Sequence, residues 1–238
     1  LQSNAMDYLT YREGNLPGGF NPEVATKLRN AGQIAEFQAQ NPGIFENYGE
    51  ESLKNYELGY KKTALDGRLA YNIALFSMER TDQVYSGFGQ ITADGICNAG
   101  SEDVVVCTVN FSGNGQSSDI NGFELDGTYL VSENLEIKTS LAYVDATISQ
   151  FPDGAGCGDI QAVFGDCSRV KGSIAPRYPE WQGSLIANYE TDSNLYIRGE
   201  LFYNDGYYDE ATNLAEIPSG TEINLRVGKR MENMTAEL

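Results

Sequence analysis

The chain has no histidine. Without an imidazole there is no Ser-His-Asp triad, no H-E-x-x-H zinc helix and no histidine base. Its four cysteines, Cys97, Cys107, Cys157 and Cys167, never fall as C-x-x-C, so a zinc ribbon lacks its ligands. Basic residues are few, 16 against 34 acidic ones, giving a formal charge of −18. Phosphate backbones require a Lys/Arg surface, so no nucleic acid is expected as a partner. Gly154-Ala155-Gly156-Cys157-Gly158 lacks the following Lys and Ser/Thr of a phosphate loop. No catalytic residue, metal site or cofactor is expected, and the chain reads as a non-enzyme. No apolar run reaches the roughly 18 residues of a membrane-crossing helix. Barrel strands cross with about ten residues of alternating character, so that absence leaves a membrane open.

What the chain does contain is alternation. Tyr56, Leu58 and Tyr60 share one face of an extended segment, with Asn55, Glu57 and Lys61 on the other. The same period of two recurs at Leu69–Phe76, Phe123–Val131, Leu135–Tyr143, Trp181–Tyr189, Leu195–Tyr203 and Ile223–Val227. Period two marks β-strands with one apolar and one polar face. Short turn signals sit at Asp66-Gly67, Ser132-Glu133-Asn134, Asp192-Ser193-Asn194 and Glu232-Asn233. Long polar connections run between them, from about Pro22 to Glu51, Thr81 to Ser118, Asp145 to Arg177 and Asn204 to Gly220. Tight turns alternating with long loops describe a transmembrane barrel, with the loops outside the cell. Tyr56, Tyr129, Tyr143, Tyr189 and Tyr203 lie near strand ends on the apolar face, as in an aromatic girdle. The fold expected is all-β, an antiparallel meander of about 8–10 long strands from a transmembrane β-barrel. A soluble all-β ligand-binding module and a passive porin-type channel are the alternatives.

Glu23 to Gln40, with Ala25, Leu28, Ile34, Ala35 and Phe37 among polar residues, predicts a short helix or two inside a long loop. Cys97 with Cys107 and Cys157 with Cys167 are equally spaced local pairs, and two short disulfide loops are expected. Disulfides suit an oxidising compartment such as the cell surface. Residues 1–5, Leu-Gln-Ser-Asn-Ala, read as the remnant of a cleaved purification tag and are set aside.

Four stretches resemble a known family. Tyr11-Arg12-Glu13-Gly14-Asn15-Leu16-Pro17-Gly18-Gly19-Phe20-Asn21-Pro22 is similar to the G-x-x-x-G-G-F-N segment of TonB-dependent outer-membrane receptors. Leu53 to Lys61, then Asp66-Gly67-Arg68-Leu69 and Ala74-Leu75-Phe76, resembles that family's N-Y-E-L-G-x-K … D-G-R-L … A-L-F hairpin. Asn121-Gly122-Phe123-Glu124-Leu125-Asp126-Gly127 is similar to its G-x-E-L-E-G strand, and Pro179-Glu180-Trp181 to the P-x-W that opens a later strand. The resemblance implies a barrel of about 22 strands around a plug. It further implies outer-membrane localisation in a Gram-negative cell, and active uptake of a scarce ligand: an iron–siderophore, cobalamin, haem or an oligosaccharide. Its implied partners are the TonB complex, reached through the plug, the outer-membrane lipid and a small-molecule ligand. No plug or TonB box is visible, so residues 6–238 are expected to be a partial barrel, incomplete at both ends.

Ligand contacts are expected from aromatic and acidic residues in the outer loops: Tyr85, Phe88, Tyr207, Tyr208, Asp209 and Glu210. An aromatic face beside polar groups suits a sugar or a chelate.

Overall fold

A computed structural model describes residues 5–28, 32–40, 44–92, 106–151 and 167–238. Nine strands form one antiparallel sheet: β1 (Ala5–Leu16), β4 (Glu51–Ala64), β5 (Leu69–Thr92), β6 (Val106–Leu130), β7 (Leu135–Gln150), β8 (Trp181–Glu190), β9 (Leu195–Asn204), β12 (Gly220–Met231) and β13 (Met234–Glu237). Each strand pairs with the next in that order, and β1 and β13 form the two edges. Two two-stranded ribbons, β2 (Gly19–Phe20) with β3 (Asn47–Tyr48) and β10 (Tyr207–Tyr208) with β11 (Glu216–Ile217), lie in the long connections. The meander and its strand number match the expected fold.

The sheet's register lines the apolar positions into continuous rows. Leu9, Leu58, Leu75, Phe123, Tyr143 and Trp181 face one another across six strands. Thr139, Leu185, Leu201 and Ile223 continue the surface across the later strands. These side chains are not sealed against a second sheet: Leu9 is 77% exposed and Ile223 76%. An uncovered apolar face of this extent has lipid as its natural solvent, and a soluble sandwich would have closed it. Two rows outward, Glu13, Lys54, Glu79 and Asp119 stand opposite each other on the same face. That charged row marks where the apolar band meets water.

On the opposite face, three aromatic rings lie on strand glycines. A Cβ at Gly59 would strike the Tyr8 ring, one at Gly122 the Phe76 ring, and one at Gly228 the Tyr196 ring. The absent side chain leaves room for the ring, which covers otherwise bare backbone.

The loop end departs from the expected layout in two respects, the smaller being that β7 runs on to Gln150, past Asp145 where a loop was expected to begin. The segment from Thr81 to Ser118, read as a polar loop, is mostly strand: β5 continues to Thr92 and β6 begins at Val106. The alternation there is diluted by Gly, Ser and Asn, which lowers strand propensity in isolation. The extension persists because a helical insert packs on it. A π-helical turn (Val24–Leu28) and α1 (Ile34–Gln40) occupy the long loop, where helix was expected. Val24, Leu28, Phe37 and Ile44 form a buried cluster with Val109 and Phe111 of β6, with Ile34 and Tyr85 against it. β1 was not evident as a strand, since Tyr8 on the inner face and Tyr11 on the outer blur its alternation. It begins at Ala5, inside the segment set aside as a tag remnant, and Ala5 pairs with Lys62.

Candidate functional site at the loop end

The long-loop end holds a cavity of about 830 Å³. It is built where β5 and β6 lose regularity. The register shifts between Arg80 and Gln83 and again between Gln83 and Tyr85. The first shift places an extra residue on β5 and the second places one on β6, so the pairing of Gln83 with Gln116 stands between two bulges. Asp82 (φ 52°) and Gly115 (φ 133°) take the unusual backbone angles. Bulges twist a strand and re-aim its side chains, and they concentrate beside functional sites. Asn114 holds this one in place: its Nδ2 donates to the carbonyls of Asp82 (2.8 Å) and Gly49 (3.1 Å), and its Oδ1 accepts from the Gly49 N–H (2.6 Å).

The bulges deliver Arg80, Gln83, Tyr85 and Gln116 to one wall. Arg80 Nε donates to Glu51 Oε1 at 2.5 Å, and Glu51 Oε2 accepts from the Val84 N–H at 2.9 Å. Both residues lie beyond the Lys54–Glu79 row, outside the apolar band. Burial pushes the Glu51 carboxyl up, but the Arg80 guanidinium and the Val84 N–H outweigh it and hold the carboxyl below its ordinary range. Arg80 is likewise pushed down by burial and raised overall by Glu51, with Tyr178 contributing. Tyr85 packs edge-on against Phe111 at 5.9 Å and tilted against Phe151 at 6.4 Å. Burial raises its phenol pKa, so it remains a neutral hydrogen-bonding group.

The facing wall is Phe151 and Pro176 to Tyr178 with Asp209 to Thr212. Arg177 Nε donates to Asp209 Oδ1 at 3.1 Å, and the Arg177 N–H donates to the Tyr208 carbonyl at 2.8 Å. The Glu210 carboxylate is committed to its own loop: it accepts from the N–H groups of Thr212, Leu214 and Ala215 and from the Thr212 hydroxyl. Asn213 ties that loop to Ile174, donating to its carbonyl and accepting from its N–H, both at 2.9 Å.

The structure thus brings Tyr85, Asp209 and Glu210 of the expected contact residues to one cavity. Tyr207 and Tyr208 form β10 beside it and are not among its lining residues. Phe88 pairs with Asn110 in the β5 extension, and its side chain lies outside the described residues. Cys97 and Cys157 also lie outside the described residues, so both expected disulfides do as well. The sequence reading missed Arg80, Gln83, Gln116, Phe151, Arg177 and Tyr178. Pro176-Arg177-Tyr178-Pro179 carried a signal, since a basic and an aromatic residue between two prolines form a stiff display. Nothing local marked Gln116.

A family model described as TonB dependent receptor-like, beta-barrel matches residues 8–237. Among solved structures, the chain is similar to the ferric yersiniabactin uptake receptor FyuA from Yersinia pestis, with TM-score 0.65 and 14% identity, covering 100% of this chain and 29% of that one. It is also similar to the siderophore receptor PiuA from Acinetobacter baumannii, with TM-score 0.62 and 18% identity over 97% of this chain and 28% of that one. The ferric preacinetobactin receptor BauA from Acinetobacter baumannii matches with TM-score 0.62 and 17% identity, over 99% of this chain and 29% of that one. The chain therefore spans under a third of the length of these structures. At such identities the likeness speaks for the fold.

Proposed function

Since the chain belongs to the TonB-dependent receptor β-barrel family of the Gram-negative outer membrane, we propose that it forms part of an importer that takes up a ferric siderophore. Proteins of this family are transporters. The observation that carries the ligand reading is the cavity between the β5–β6 bulges and the 176–178 and 209–212 segments. It combines aromatic surfaces (Tyr85, Phe151, Tyr178) with two guanidinium groups fixed by carboxylates (Arg80 by Glu51, Arg177 by Asp209). Aromatic surface buries a ligand's apolar body, and fixed polar groups orient its oxygens at little entropic cost. That three of the similar structures are siderophore or ferric-chelate receptors supports the same choice over cobalamin, haem or an oligosaccharide.

In this reading Tyr85 and Asp209 belong to the ligand-facing wall. Glu210 shapes the loop that carries Asp209, and Tyr207 and Tyr208 form the ribbon at its base. Transport is driven by the TonB complex, acting on a plug inside the barrel. The test is accumulation of iron-55 delivered as a ferric siderophore, by iron-starved cells carrying the intact receptor. Uptake should vanish without TonB or after the proton gradient is collapsed. Equal accumulation in all three conditions would indicate a passive channel, and no accumulation of any ferric chelate would remove the siderophore assignment.

A further inference from the structure

We infer that the inner wall of the barrel carries a second contact site for the ligand, a recess around Phe202 that the ferric chelate occupies after it leaves the loop-end cavity. The inference rests on the siderophore reading above and adds a station on the path inward.

The recess holds about 580 Å³ and is lined by residues of β7, β8, β9 and β12. Ser140 and Ala142 line it and Leu141 between them does not, so it opens on the polar face of the sheet and not on the lipid face. It follows the loop-end cavity along the same stretch of chain. The 176–178 segment runs on into β8, and β9 runs on into the 209–212 segment. Two bonds join these stretches between the two sites: the Asp205 N–H donates to the Trp181 carbonyl and the Arg177 N–H to the Tyr208 carbonyl, both at 2.8 Å. One wall therefore serves both sites.

The chemistry of the lining points to a passenger. Phe202 stands 38% exposed. Around it the side chains of Ser140, Gln182, Ser184 and Asn204 make no hydrogen bond among the described residues. Ser140, Gln182 and Asn204 are themselves exposed, so a molecule in the recess reaches them. Among the described lining residues Glu222 alone is charged, and it accepts from Asn224 at 2.7 Å. Toward the turns the same face is instead knitted to itself. There Lys138 pairs with Glu136 at 2.9 Å, Asn188 donates to Glu136 at 3.0 Å, and Arg198 reaches both Asn188 and Glu200. A fixed neighbour is gripped by buried anchors and desolvated charge pairs. A molecule in passage needs contacts good enough to enter and weak enough to leave. One open aromatic ring among neutral amides and hydroxyls meets that need: the ring covers the apolar body of the chelate, and the amides and hydroxyls exchange hydrogen bonds with its oxygens.

The test replaces Phe202 of the intact receptor by the photoreactive analogue p-benzoylphenylalanine. Iron-starved cells are illuminated with a carbon-14-labelled ferric trihydroxamate or ferric tris-catecholate. Asn72, on the same face but outside the recess, takes the analogue as the control position. The label should join the receptor at position 202 and not at position 72, only for a chelate that the wild type accumulates, and only when TonB is present. Phe202→Ala should keep the wild-type Kd within about twofold and lower the maximal rate of iron-55 uptake about 10-fold, the scale of one aromatic contact. An adduct of position 202 with the receptor's own chain, free of carbon-14, would make the recess a docking surface for another part of the protein and overturn the station. Label at position 202 without TonB, together with a weakened Kd in Phe202→Ala, would overturn it too, since the recess would then belong to the first binding site. In both cases accumulation by the wild type leaves the siderophore reading standing. A wild type that accumulates neither chelate would overturn the station and the siderophore assignment together.

Discussion

The side-chain amide of Asn21 closes on the backbone of Ser112, 91 residues away: Oδ1 accepts from the Ser112 N–H at 2.7 Å and Nδ2 donates to the Ser112 carbonyl at 2.8 Å. The geometry imitates a strand neighbour. β7 pairs with β6 only as far as Ser117, so among the described residues no strand covers that edge of the outer part of β6. Asn21 takes one position along it, and Glu23 takes the next by accepting from the Asn110 N–H at 2.9 Å. An open ladder is thereby covered by side chains instead of a strand. Asn21→Ala should cost the outer hairpin about 2 kcal/mol, since it leaves buried backbone groups unmet. Faster amide exchange confined to β6 from Val109 to Gly113, with the membrane-embedded rows unchanged, is the expected result.

The Glu51–Arg80 pair predicts a pH response. The Glu51 carboxyl sits below its ordinary range in the fold. The stability it contributes is therefore present above the unfolded carboxyl pKa of about 4.3 and is lost as the pH falls through the lower folded value. Exchange of the Val84 amide, which donates to Glu51, should quicken on acidification in the wild type. In Glu51→Ala it should be fast at every pH, with a loss of about 2 kcal/mol.

The glycines under aromatic rings should differ in what they tolerate. At Gly59 the atoms nearest an added Cβ all belong to the side chain of Tyr8, which can swing aside. At Gly122 it meets the Tyr143 carbonyl oxygen at 2.2 Å as well as Phe76, and backbone cannot move without breaking the β6–β7 ladder. Gly122→Ala should therefore cost about 2–3 kcal/mol and Gly59→Ala about 1 kcal/mol or less. Equilibrium unfolding of the intact receptor in lipid vesicles would rank them, and equal costs would refute the distinction.

The outer face predicts a position-dependent penalty for charge. Leu58 lies in the apolar band, one row inward of Tyr56, while Lys54 lies in the charged row. Leu58→Arg should destabilise the folded barrel by about 2–4 kcal/mol. Lys54→Arg should be nearly silent. Folding yields into vesicles, read by the mobility shift of unheated samples, compare the two.

The strands were legible where one face is uniformly apolar. Leu135 to Tyr143 and Trp181 to Tyr189 alternate because lipid requires it of one side. They failed to be legible where protein, and not lipid, covers the apolar positions. The β5–β6 extension has a helical insert on it, so Val109 and Phe111 needed no lipid-facing partners and the pattern thinned. The site divided along the same line. Tyr85 and Asp209 stood out by residue type. Gln116 is set apart only by its depth and by an Nε2 with no partner among the described residues, both tied to a bulge whose two halves lie more than 30 residues apart in sequence.

The charged row of Glu13, Lys54, Glu79 and Asp119 also acts as a ruler. From Tyr56, just inside it, to Ala64 at the tight turn, β4 advances eight residues. At roughly 3.3 Å each and a tilt of about 40°, that is on the order of 20 Å along the membrane normal. A sheet bordered by a charged row at one end and by its tight turns at the other cannot ride up or down to suit its surroundings. A bilayer thicker than this span must thin around it, so the protein is fitted to a thin membrane and would be strained in a thick one.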